Sequence, residues 1–136
     1  LQHHGEAHTT SELLYKNALN DKSRSVFAGL IMVDEGAHYT DAYQTCRNLL
    51  LSDEAEANSM PGLEINADQV KCSHGSTSGP ITEEDVFYFN ARGIATDIAK
   101  QLITYGFAAE VFGKLRHEAI EAMVGRLVEE KFSQLS

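Results

Sequence analysis

Near Pro80 the hydrophobic period of this chain changes, and that change limits what the chain can fold into. Before it, apolar runs are short and punctuated by Gly, Asp, Asn and Ser. Val26–Val33, Asn48–Leu51 and Leu63–Ile65 read as strands, each followed by an acidic turn. Met32, Leu50 and Ile65 each precede by five residues a small apolar residue, Ala37, Ala55 and Val70, and three residues later come Thr40, Asn58 and Ser73. Successive equivalents are 18 and then 15 residues apart. A period of that size suits the coils of a β-solenoid, in which stacking on neighbours supplies the core. A small β-sandwich with coincidental spacing is the competing reading.

After Pro80 the period is helical. Thr82 with Glu83-Glu84-Asp85 reads as an N-cap with carboxylates where the helix dipole favours them. Arg92-Gly93 reads as a C-terminal stop with Gly in the left-handed position. A second helix is expected from Thr96-Asp97 to Gly106 and a short third over Ala108–Phe112, ending at Gly113. A last helix is expected over 116–132, with Ile120, Met123, Val124, Leu127 and Val128 on one face and Gly125 inside it. The division is thus a β part over residues 1–80 and a helical domain over 81–136. The simplest account of so few coils is the C-terminal piece of a longer protein, self-associating through an open coil end, so that the coil nearest residue 1 is exposed or covered by another copy.

Eleven Lys and Arg against twenty Asp and Glu give a net charge of −9, which disfavours nucleic acid and anionic membrane surfaces. No apolar run approaches the ~20 residues that span a bilayer. Phosphate-binding and zinc-protease motifs are absent. Two cysteines, Cys46 and Cys72, do not make a disulfide framework, and a reduced, cytoplasmic setting is expected.

The densest chemistry is Lys71-Cys72-Ser73-His74-Gly75. Strand alternation puts Cys72 and His74 on one face, about 6.6 Å apart along the chain. A thiolate and an imidazole suit iron, zinc or copper, but two ligands do not close a site. The same pair could be a nucleophile with its base, or a packed thiol beside a hydrogen-bonded imidazole. His3, His4 and His8 with Glu6 resemble metal ligands only superficially, Cys46 reads as a buried thiol, and His38 and His117 stand isolated. Phe87-Tyr88-Phe89 reads as core packing. Short helices cannot bury all of Phe87, Phe89, Tyr105, Phe107, Phe112 and Phe132 among themselves, so some of these rings pack on the β part or form a docking surface.

Several stretches resemble the SufB/SufD family of iron–sulfur cluster assembly proteins. They are Asp21–Ile31, Thr40–Gln44, Arg47–Ser52, Pro61–Ile65, Val70–Thr77 and Phe87–Ile94. The likeness runs from about Ser11 to the last helix. It implies the end of a right-handed parallel β-helix followed by a small helical domain, and a scaffold subunit rather than an enzyme. It further implies pairing with SufB through the β-helix and binding of the ATPase SufC through the helical domain, here at Arg92, Gly93, Tyr105, Phe107 and Phe112. By the same likeness Cys72 and His74 face the SufB interface as ligands of a transient iron–sulfur cluster, with a reduced flavin joining in the full complex. Cys46 departs from the polar residue expected there.

Overall fold

The computed structural model describes residues 1–133. Six strands come first: β1 (Gln2–His4), β2 (Thr10–Leu19), β3 (Arg24–Val33), β4 (Asp41–Leu50), β5 (Glu56–Ile65) and β6 (Lys71–Pro80). Three helices follow, α1 (Glu83–Asn90), α2 (Thr96–Phe112) and α3 (Glu118–Phe132). None is long and apolar enough to cross a membrane.

The strands alternate between two parallel, three-stranded, open sheets, ordered β1-β3-β5 and β2-β4-β6, a β-helix-like arrangement. Register pairs Thr10 with Asp41, Asp41 with Lys71, and Arg24 with Glu56. One structural repeat therefore takes about thirty residues and contains two strands, roughly twice the spacing read from the sequence. Met32, Leu50 and Ile65 are not equivalents: the true partner of Met32 is Glu64, and Leu50 pairs with Leu19 and Pro80. The shorter period was the alternation between sheets.

Corners recur with the repeat. His8, Tyr39 and Gln69 all adopt left-handed backbone, with φ of 59°, 61° and 58°, each two residues before a strand of the second sheet. Such a conformation costs a non-glycine residue roughly 1–2 kcal/mol. Stacking offsets it: the His8 and Tyr39 rings lie 4.8 Å apart and 11° from parallel. Beside them the Thr9 and Thr40 hydroxyls are hydrogen-bonded at 3.1 Å.

In-register parallel strands bring like side chains above one another, and the chain uses this with polar groups. Asn17 Nδ2 donates to Asn48 Oδ1 at 2.8 Å, and Asn48 Nδ2 donates to Ser78 Oγ at 2.9 Å, so one ladder crosses all three strands of the second sheet. The apolar core is compact: Ile31, Val33, Ala37 and Ala42 are buried, with Ala67, Val70 and Cys72 packed against them.

The helical part departs from the sequence reading in places. Thr82 caps α1 as expected, with Asp85 N–H donating to Thr82 Oγ1 at 3.1 Å, and the Asp85 side chain completes a capping box; Gly93 is left-handed at φ 81°. However, α2 runs through Gly106 to Phe112, so the expected second and third helices are one. A helix-interior glycine costs about 1 kcal/mol, too little to break a helix held by apolar residues on both sides. Gly113 ends it with right-handed backbone. Phe87 and Tyr88 are 70% and 55% exposed, so they are not core. Within α3, Val124, Gly125 and Val128 turn inward, while Ile120, Met123 and Leu127 are exposed. A Cβ on Gly125 would lie 3.6 Å from Tyr105 Oη and 3.7 Å from a Phe112 ring carbon, so the glycine lets α3 lie close on α2.

One ionic cluster ties α2 to the sheet. Lys16 Nζ donates to the Phe107 carbonyl at 2.8 Å, pairs with the Glu110 carboxylate, and sits 4.3 Å from the Phe107 ring centroid. Arg47 reaches the same carboxylate at 3.2 Å, and Lys114 meets Glu12 at 2.5 Å.

Two outcomes follow from this packing. Asn48→Ala removes both ladder bonds and leaves Asn17 unpaired, and is expected to lower the unfolding free energy by about 1–3 kcal/mol in urea titration. The Lys16 ammonium, first through its hydrogen bond, holds the Glu110 carboxyl below its ordinary range. Its contribution is therefore present above that range and lost as pH falls through the lowered value. Phe107 resonances should report loosening of α2 in acid, and Glu110→Gln should show that loosening already at neutral pH.

Candidate functional site

On β4 the inward row is Ala42, Gln44, Cys46 and Asn48, all buried. Their register partners on β6 are Cys72, His74, Ser76 and Ser78, and the Asn48–Ser78 bond shows that the two rows project to the same side. Cys72 and His74 thus lie in one row by alternation, on the last strand of the second sheet. On the first sheet the last strand is β5, where Leu63 and Ile65, register partners of buried Ile31 and Val33, are 40% and 39% exposed. The interior-facing rows of β5 and β6 therefore form an uncovered layer.

The two donors have different surroundings. Cys72 is half-buried against the apolar core, whereas His74 is exposed and makes no hydrogen bond among the described residues. Burial, chiefly, pushes the Cys72 thiol up, a hydrogen bond with the Ala42 backbone opposes this, and the Asp41 charge adds to it. That is the reverse of what activates a nucleophilic cysteine. Among the described residues no three His, Cys, Asp or Glu side chains gather as a metal site. Cys72 and His74 are at most part of a ligand set.

The remaining sequence candidates separate. His4 is buried between Thr9 Oγ1 at 2.7 Å and Ser11 Oγ at 2.8 Å, His3 pairs with Asp34 at 2.8 Å, and His8 stacks on Tyr39. Those histidines hold the first repeat together. Cys46 is fully buried, as its reading anticipated, with Ser59 Oγ 3.5 Å from its sulfur. His38 and His117 are not isolated: His38 Nδ1 accepts from Asp68 N–H at 3.2 Å, and His117 caps α3.

Of the residues expected at a docking surface, Arg92 is exposed and lies over the Tyr88 ring at 3.6 Å, and Gly93 is exposed beside it. Tyr105 and Phe107 are half-buried. Phe112 is 7% exposed and meets Tyr105 edge-on at 5.8 Å, so its ring is spent on packing α2 to its neighbours. Sequence reasoning missed Gln44, which is 1% exposed inside the sheets, directly below His74 in register. Nothing in its local sequence marks it as buried.

A family model described as "SUF system FeS cluster assembly, SufBD core domain" matches residues 1–107. The iron–sulfur cluster assembly protein SufD of Escherichia coli (strain K12) is 46% identical over 121 residues, covering 89% of this chain and 29% of that protein. SufD of Bacillus subtilis (strain 168) is 30% identical over 129 residues, covering 95% of this chain and 29% of its own length. A SufBD family protein of Synechocystis sp. (strain ATCC 27184 / PCC 6803 / Kazusa) is 36% identical over 120 residues, covering 88% and 26%. The chain spans less than a third of the length of these relatives. The stacked parallel strands and the matched core domain lead to one assignment: the chain belongs to the SufBD family of iron–sulfur cluster assembly proteins.

Proposed function

We propose that this chain is part of a non-catalytic scaffold subunit that helps assemble iron–sulfur clusters in the cytoplasm. Residues 1–80 serve as the last turns of a right-handed parallel β-helix, and residues 81–136 as a helical domain, the last three of which lie outside the described residues. The nascent cluster is the cargo, and Cys72 with His74 supplies two of its ligands. The observation that carries this reading is their shared row on the uncovered layer. Two donors there form half of a ligand set, which a second subunit of SufB type completes when it pairs through the β part.

Docking of an ATPase of SufC type on the helices is supported by apolar surface that the chain leaves uncovered. Phe87, Ile120, Met123 and Leu127 are all exposed, as are Arg92 and Gly93. Tyr105 and Phe107, half-buried on α2, offer less surface, and the buried Phe112 offers little. Through the Lys16–Glu110–Arg47 cluster, a movement of α2 reaches the second sheet directly. The rival reading, a Cys–His enzyme with Cys72 as nucleophile, needs an imidazole hydrogen-bonded to that thiol, and among the described residues His74 makes no such bond.

In the full-length protein with its partners, His74→Ala is expected to cut cluster yield to background while circular dichroism and the melting temperature stay as in the wild type. Normal cluster yield from that variant would remove the ligand assignment.

A further inference from the structure

Gln44 is the anomaly of the interior. It is 1% exposed, yet neither Oε1 nor Nε2 has a hydrogen-bond partner among the described residues. An unmet buried polar group is costly, so the carboxamide calls for a partner beyond the contacts described. Room has been made for the carboxamide: a Cβ added to Gly29 would fall 2.5 Å from both Gln44 Nε2 and Oε1. On the other side, the residue directly above Gln44 in register is His74, also without a hydrogen bond among the described residues.

Elsewhere in the second sheet and at its corners, polar residues at matching register positions bond to one another. Thr9 bonds Thr40, Asn17 bonds Asn48, and Asn48 bonds Ser78. Gln44 and His74 occupy the same relation on β4 and β6, between the Asn48–Ser78 rung and the apolar end. A carboxamide has both a donor and an acceptor, and a neutral imidazole has one of each, so they match in either tautomer.

We propose that Gln44 is a positioning residue for His74. In the paired state the carboxamide bonds one ring nitrogen from inside the sheets, and the other nitrogen is left facing the uncovered layer. That bond selects one tautomer and fixes the ring, the part an outer hydrogen bond plays for histidines that hold metals. The inference rests on the reading of His74 as a cluster ligand, but the pairing itself is testable without iron.

The test is ¹⁵N NMR of the whole chain at a pH where the imidazole is neutral. The expected result is a single His74 tautomer, with cross-relaxation between its ring protons and the Gln44 side-chain amide. In Gln44→Leu the ring nitrogens should shift to the averaged values of a solvated imidazole, while the Asn48 and Ser78 resonances hold. A wild-type His74 that already shows averaged, solvent-like ring nitrogens and no contact with the Gln44 amide would overturn the proposal, whether or not the variant folds. Unchanged ring nitrogens in a folded Gln44→Leu would overturn it as well. A separate zinc titration of the chain mixed with a SufB-type partner, followed at Cys72 and His74, tests the ligand reading beneath it. Its failure beside a detected pairing strikes the ligand reading alone, and its success beside an absent pairing strikes only the role of Gln44.

Discussion

Parallel pairing in strict register is the constraint from which the rest of this molecule follows. Each strand lies directly above its equivalent from the preceding repeat, so every inward side chain must suit the one below it. Where the row is apolar, as at Ile31, Val33 and Ala42, stacking makes a small dry core. Where Asn17, Asn48 and Ser78 stack, the polar side chains bond to one another along the row, since an unmet buried group is costly. The same geometry stacks His8 on Tyr39 at the corners.

A stack of this kind buries the rows in its middle and leaves the rows of β5 and β6 more exposed. Rows buried on β3 and β4 come to the surface on β5 and β6, and there the apolar residues Leu63 and Ile65 stand open beside Cys72 and His74. The proposed site and its proposed completion by a second subunit thus share one physical origin. A thiol that leans on the core and an imidazole that faces outward are complementary halves of such an edge. The family match agrees with that picture at the level of cluster assembly.

Much of this was legible in the residues. The switch at Pro80, the N-cap at Thr82, the left-handed stop at Gly93 and the burial of Cys46 all follow from local rules. The full repeat was not legible, because strands of both sheets carry similar apolar runs and nothing local tells which sheet a strand joins. Gly106 misled because an intrinsic penalty of about 1 kcal/mol was outweighed by packing along α2. His38 and His117 gained partners through loop contacts that periodicity does not record. The burial of Gln44 depends on Gly29, fifteen positions away on the other sheet, and only the three-dimensional pairing makes that space visible.

On the function proposed above, the final layer of the stack presents an incomplete ligand set that another subunit finishes. Calorimetric titration of ferrous iron, under anaerobic conditions, tests it on the lone chain and on the chain mixed with a SufB-type partner. The account predicts weak binding to the chain alone and a tight, stoichiometric site only in the mixture. Tight binding by the chain alone, with a complete coordination shell from its own side chains, would contradict it.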